Sequence, residues 1–110
     1  MTICALSSAL GPSGVAVIRI SGPETKNLLK MLIKKELPAP RMASLLELYN
    51  INTSSLIDEA IVLWFPGPKS YTGEDMVELH VHGSIGVISS LQNTILNTNT
   101  WTMRMYMDMN

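Results

Sequence analysis

The chain has 110 residues, of which 46% are hydrophobic and 15% charged, a length and composition that suit one soluble domain with a buried core. Its eight basic and nine acidic residues leave a net charge of −1, so no net field attracts nucleic acid or an anionic membrane. The lone cysteine, Cys4, excludes an internal disulfide and a thiolate metal cluster, and it suits the reducing cytoplasm, where we expect the protein to work.

The amino-terminal part predicts a strand followed by a helix. The opening "MTICALSSALG" is apolar, but no basic residue precedes it, so we expect no secretory leader, and no run reaches membrane-spanning length. After the turn residues of "LGPSG", the β-branched run "GVAVIRIS", residues 14–21, predicts a buried strand. Ser21 and Glu24 then stand at capping-box spacing, which predicts that a helix begins there.

That first helix has two distinct faces in the sequence. Three lysines recur every fourth residue on the side expected to face water, and "LPAPR" ends the helix because prolines cannot continue it. The apolar stripe expected to face the core consists of Leu28, Leu29, Leu32 and Ile33.

The middle of the chain predicts an antiparallel pair of strands. "SLLELYNI" and "LIDEAIVLWF" are joined by the polar "NTSS", as in a hairpin. Residues 60–65 are all apolar, which predicts a strand that is covered on both faces.

The last third predicts a loop, a strand and a second helix. "PGPKSYTGED" is punctuated by proline and glycine, and "MVELHVH" then alternates, with Val77, Leu79 and Val81 directed inward. "SIGVISSLQNTILN" fits an amphipathic helix that Ser84 can cap. The tail "TWTMRMYMDMN" has period two, which indicates either a strand or a frayed end. No repeat or linker divides the chain.

The polar face of "MVELHVH" has three possible explanations. It could be a solvated sheet face without a function. It could be a metal site in which Glu78, His80 and His82 converge, although same-face neighbours lie about 6.6 Å apart along a strand. It could instead be a small-molecule pocket, in which the Glu78 carboxylate accepts two parallel hydrogen bonds from a guanidine-like edge of the kind that pterins and guanines display. Trp64, Phe65 and Tyr71 lie nearby in sequence and could supply the apolar surround.

Arg19 interrupts an apolar strand, where an unpaired charge is costly. It therefore needs either a salt bridge with an acid such as Glu24 or Glu78, or an anionic ligand. Thr72 and Asp75 are at capping distance, so Thr72 could simply order the loop. The sequence has no Walker A segment, no G-x-G-x-x-G and no G-x-S-x-G, so we expect no GTP site in this chain.

Three stretches together, "TICALSSALGPSG", "GVAVIRISGP" and "VLWFPGPKSYTGEDMVELHVHGS", resemble the amino-terminal domain of the MnmE/TrmE family of tRNA-modification GTPases. The resemblance implies an α+β fold, a mixed β-sheet with two to three helices packed on it, similar to the folate-binding domain of glycine-cleavage T-protein. It also implies a homodimer that binds 5-formyltetrahydrofolate or a related tetrahydrofolate. The family works with an MnmG-type flavoprotein to modify the wobble uridine of certain tRNAs.

Carried over to this sequence, the resemblance implies that Arg19 and Glu78 contact folate, with Glu78 orienting the pterin. The other matching residues are expected to shape the pocket; they are Ser70, Thr72, Gly73, Glu74, His82 and Gly83. We expect no metal ligand, no catalytic residue and no membrane partner in this chain, and contact with tRNA only indirectly.

The resemblance covers residues 1–97, and residues 98–110 form a divergent Met-rich tail in place of the family's P-G-E-F…R-A-F-x-N-G-K type segment, whose basic residue also meets folate. The family's helical and GTPase domains have no counterpart in the sequence, so we expect a truncated or frameshifted copy or a natural fragment, which is not catalytic by itself. The alternative is an assembly module that keeps the dimer surface but has lost folate.

Overall fold

The computed structural model of the protein describes residues 2–8, 14–97 and 103–108. The elements in chain order are β1 (Thr2–Ser8), β2 (Val15–Ser21), α1 (Thr25–Ile33), β3 (Ser44–Tyr49), β4 (Leu56–Phe65), β5 (Met76–His82), α2 (Ile85–Leu96) and β6 (Met103–Asp108).

The strands form one sheet in the order β3-β4-β5-β2-β1-β6. Neighbouring strands are antiparallel except β1 and β6, which are parallel. Helix α1 contacts β3 and β5, and α2 contacts β4, β5 and β6. The predicted α+β fold with a mixed sheet is therefore confirmed. Neither helix of the described ranges has the length and apolar character needed to cross a lipid bilayer.

Both helices pack on the same face of the sheet, and a single hydrophobic core lies between the two layers. The alternation predicted for β5 is confirmed, because Val77, Leu79 and Val81 are buried. The apolar stripe predicted for α1 is confirmed too, since all four of its residues are buried. Ser84 caps α2 as predicted, accepting a hydrogen bond from the backbone N–H of Val87 at 3.2 Å.

The predicted capping box of Ser21 and Glu24 is wrong. Strand β2 continues through Ser21, and Gly22 then adopts a φ of 141°, so the helix begins only at Thr25. Glu24 makes no side-chain cap; its backbone N–H donates to Thr2 Oγ1 at 3.0 Å. Ser21 is thus separated from the helix by a turn, and Glu24 itself occupies the N-cap position.

The prediction that β4 is covered on both faces is also wrong. Ala60, Val62 and Trp64 are buried against the helices, whereas Ile61 on the opposite face is 37% exposed. The cause is that both helices lie on one side, which leaves the other side of the sheet uncovered. We call this uncovered side the open face. Trp64 therefore belongs to the core and does not surround Glu78.

Two terminal regions complete the sheet. The sequence did not predict β1, which lies between β2 and β6. The predicted turn "LGPSG" lies outside the described residues except for Gly14. The Met-rich tail is described only over 103–108, where it forms β6 in register with β1, as its period of two predicts.

Candidate functional site

The polar residues singled out from the sequence lie on the open face, in rows that cross neighbouring strands. Arg19 of β2 stands directly opposite Glu78 of β5, and Glu78 stands opposite Leu63 of β4. One row nearer to the loop that precedes β5, Met76 stands opposite Phe65. Directly opposite residues on a sheet share a face and touch, so these side chains form a continuous surface.

The carboxylate of Glu78 is held by two protein donors. Arg19 Nε donates to Glu78 Oε2 at 2.8 Å, and His80 Nε2 lies 3.0 Å from Glu78 Oε1. Partial burial raises the pKa of Glu78, but the hydrogen bonds and charges of Arg19 and His80 outweigh it and hold the pKa below its ordinary value. Glu78 is therefore ionised near neutral pH and acts as an acceptor.

A cavity of about 440 Å³ opens beside this pair. Its size falls within the range of small-molecule sites. Its wall combines one cation and one anion with two aromatic rings and a thioether, and the lining residues are Arg19, Phe65, Tyr71, Met76 and Glu78. We call it the Arg19–Glu78 cavity. The two residues expected to contact folate thus line one cavity. The salt bridge considered for Arg19 is also present, with Glu78 as the acid.

The loop before β5 is closed by a hydrogen bond between its two ends and is also bonded to the end of β2. Asp75 Oδ1 accepts from the backbone N–H of Gly67 at 2.9 Å, and the Asp75 carbonyl accepts from the N–H of Gly22 at 3.0 Å. Ser21 Oγ and Thr72 Oγ1 lie 2.7 Å apart. These bonds hold the loop beside the end of β2, with Tyr71, 94% exposed, at its outer edge.

The remaining loop residues implied by the resemblance shape the same region. Ser70 Oγ donates to the Glu74 carbonyl, and its own carbonyl accepts from the N–H of Gly73 at 3.3 Å. Gly73 has a φ of 82°, a conformation that favours glycine. A second cavity, of about 340 Å³, adjoins the first on the side of β1, and Arg19, Tyr71, Thr72 and Glu74 help to line it.

His82 and Gly83 lie at the other end of β5, away from the Arg19–Glu78 cavity. His82 Nδ1 lies 2.8 Å from Asp58 Oδ1, and the His82 N–H donates to Asp58 Oδ2 at 2.9 Å. Gly83 donates to the Gly14 carbonyl, and no side chain would fit at this approach, because a Cβ on Gly83 would lie 2.9 Å from that oxygen. His82 is four residues from Glu78, or roughly 13 Å along the strand.

A third cavity, of about 460 Å³, lies at this end of the sheet and is lined in part by Glu59, His80 and His82. The two imidazoles have different carboxylate partners, Glu78 for His80 and Asp58 for His82. Within residues 2–8, 14–97 and 103–108, no group of three or more His, Cys, Asp or Glu side chains is arranged to hold a metal ion.

Two hydrogen-bond partners at this face were not predicted from the sequence: His80, which bonds to Glu78, and Asp58, which bonds to His82. His80 shares a face with Glu78 at i+2, and this spacing was the available signal, although it was interpreted only as possible metal ligation. Asp58 gave no local signal, because it reaches His82 across strands from 24 residues away in the chain.

Comparison with known proteins identifies the domain. The sequence model described as "GTP-binding protein TrmE N-terminus" matches residues 2–106. The chain is 56% identical over 95 residues to the tRNA modification GTPase MnmE of Pelagibacter ubique, covering 86% of this chain and 21% of that protein. It is 50% identical over 91 residues to the mitochondrial 5-taurinomethyluridine-tRNA synthase subunit GTPB3 of Homo sapiens, covering 82% and 18%. The chain thus spans about a fifth of the length of these relatives. With nearly its whole length matched, the chain belongs to the TrmE amino-terminal domain family.

Proposed function

We propose that this domain binds a reduced folate, 5-formyltetrahydrofolate or a related tetrahydrofolate, in the Arg19–Glu78 cavity. The observation that carries the proposal is an ionised carboxylate fixed in a cavity of about 440 Å³ with aromatic walls. A pterin presents two parallel N–H donors on one edge, which match a carboxylate, and a flat ring, which matches Phe65 and Tyr71.

Arg19 supplies the second half of the recognition. Only its Nε is bonded to Glu78, and its side chain is 47% exposed. The guanidinium therefore has donors left to face a carbonyl or carboxylate of the ligand. Thr72, Gly73 and Glu74, in the loop beside the cavity, would close over the bound ring.

The biological role that we propose is support for tRNA modification in the cytoplasm. The relatives named above are a tRNA modification GTPase and a subunit of a tRNA-modifying synthase. In this proposal the domain presents a one-carbon unit to a complex that modifies the wobble uridine, with an MnmG-type flavoprotein as partner and with tRNA contacted only indirectly.

Calorimetric titration with 5-formyltetrahydrofolate tests the proposal. We expect saturable binding by the wild type and a loss of affinity of about ten- to a hundredfold in Glu78→Ala and in Arg19→Ala, since a charged hydrogen bond contributes about 1.5–3 kcal/mol. Lys30→Ala, a change on the exposed side of α1, is the matched control and should bind like the wild type. Absence of saturable binding by folded wild type would refute the proposal.

A second candidate is an assembly module that dimerises without binding folate. The observation that favours it is the exposure of apolar side chains on the open face, among them Val15, Leu45 and Ile61 at 40%, 59% and 37%. In either case we expect a homodimer that covers part of this face. Light scattering that gives a dimer mass, together with calorimetry that gives no folate heat, would favour this second candidate.

A further inference from the structure

Each carboxylate oxygen of Glu78 accepts one hydrogen bond from a neighbouring side chain. Arg19 occupies one acceptor site on Oε2, and His80 occupies one on Oε1. A carboxylate offers about four acceptor sites, two on each oxygen. Within the part of the chain that the structure describes, one site on each oxygen therefore stays available, which is the arrangement that a ligand with two parallel N–H donors requires.

The role of His80 in this contact follows from the chemistry of its partner. An ionised carboxylate only accepts hydrogen bonds, so Nε2 of His80 must carry the hydrogen and donate it. The imidazole is held on the sheet between Val17 of β2 and Ile61 of β4, which stand directly opposite His80 on either side. The ring is 31% exposed, so it is more confined than Arg19.

We propose that His80 is a positioning residue for this site: together with Arg19 it fixes the plane of the Glu78 carboxylate and so leaves one acceptor on each oxygen directed at the ligand. The inference rests on the proposed function for its ligand, a pterin edge. It assigns to His80 a role different from that of His82, whose ring is bound to Asp58. Without His80, Glu78 keeps its bond to Arg19 alone and can rotate.

The first test needs no ligand. The carboxyl carbon of Glu78 is followed by NMR during a pH titration of the full chain in the wild type, in His80→Leu and in His80→Gln. Leucine fills a similar volume without a donor, whereas the glutamine amide can donate. We expect the pKa of Glu78 to rise in His80→Leu and to return toward the wild-type value in His80→Gln. The other charged or titratable groups around this part of the sheet are Arg19, Asp58, Glu59 and His82, and they are the same in all three proteins.

The second test is binding of 5-formyltetrahydrofolate. We expect His80→Leu to weaken affinity about two- to tenfold, the effect of one hydrogen bond of about 0.5–1.5 kcal/mol, and His80→Gln to restore it. Thermal unfolding of each variant shows whether it is folded, and His80→Met serves as a second donor-free variant should His80→Leu fail to fold.

The outcomes separate this inference from the proposed function. If the wild-type protein binds folate and the His80→Leu variant binds it equally tightly, the positioning role of His80 is wrong, whereas the folate proposal stands. Wild type that does not bind folate refutes the folate proposal, and the inference about the ligand falls with it; the Glu78 titration then shows whether His80 holds the carboxylate in the free protein. An unchanged Glu78 pKa in His80→Leu overturns the inference in every case.

Discussion

Arg19 and Glu78 stand directly opposite each other on antiparallel strands, and Arg19 Nε lies 2.8 Å from Glu78 Oε2. The Arg19 side chain is 47% exposed, so solvent screens the attraction. Both residues line the same cavity. We therefore expect the pair to contribute little to the stability of the fold.

The first prediction follows from that exposure. Arg19→Gln should lower the free energy of unfolding by less than about 1 kcal/mol, because exposed ion pairs contribute little. Urea denaturation followed by circular dichroism measures the change. A loss of several kcal/mol would mean that the pair supports the core, and the expectation that it contributes little to stability would be wrong.

The second prediction concerns the stability of the protein at acidic pH. The pKa of Glu78 is lowered from its ordinary value of 4.5, so its contribution to stability is present above that value and is lost as the pH falls through the lower folded pKa. Glu78→Gln should therefore flatten the dependence of stability on pH below about 4.5 and leave the curve parallel to wild type near neutrality. Denaturation midpoints measured from pH 2 to pH 7 test this; parallel curves throughout would contradict it.

The third prediction concerns Cys4, which is fully buried in the core. Burial raises the pKa of its thiol to about 12, so almost no thiolate exists at neutral pH. A thiol-reactive dye should label native protein very slowly and unfolded protein quickly. Rapid labelling without denaturant would show that β1 opens readily.

The fourth prediction uses two glycines close together in the chain. Gly83→Ala should destabilise the protein, because its Cβ would lie 2.9 Å from the Gly14 carbonyl oxygen, which is backbone and cannot easily move. Gly86→Ala is the matched control: Gly86 lies in the first turn of α2 with nothing near the added Cβ, and alanine there should stabilise the helix by at most about 1 kcal/mol. Melting temperatures that shift in the same direction for both variants would contradict the close approach.

The fifth prediction compares two leucines on opposite faces of the sheet. Leu79→Ala removes a fully buried side chain and should cost about 2–5 kcal/mol. Leu45→Ala changes a side chain that is 59% exposed and should cost about 0.5 kcal/mol or less. Chemical denaturation measures both. A large loss for Leu45→Ala would indicate that a second copy covers this residue in solution.

Much of the fold was predictable because period-two alternation reports directly on burial. The alternation of "MVELHVH" correctly separated Glu78 from Leu79, and the stripe of α1 correctly identified its core side. The exposure of Ile61 was not predictable, because the sequence does not state on which side of a sheet the helices pack. The capping box was predicted wrongly because the spacing of Ser21 and Glu24 does not show that a turn lies between Ser21 and the helix.

Less of the site was predictable. Arg19 was identifiable as the charged residue of an apolar strand, and Glu78 as an acid on the polar face of an alternating strand. His80 and His82 look equivalent in sequence, two residues apart on one face, yet they bind different acids. The difference arises because Asp58 reaches the end of β5 from a neighbouring strand, a contact set by the register of the sheet and not by local pattern.

The alternation along β5 has an evolutionary consequence. Residues 77, 79 and 81 pack into the core, whereas residues 78, 80 and 82 lie on the open face, so a substitution on one face should largely spare the other. Insertion or deletion of a single codon would exchange the two sets at once. We therefore expect substitutions on the open face of β5 to be tolerated by the fold, and changes of length in this strand not to be.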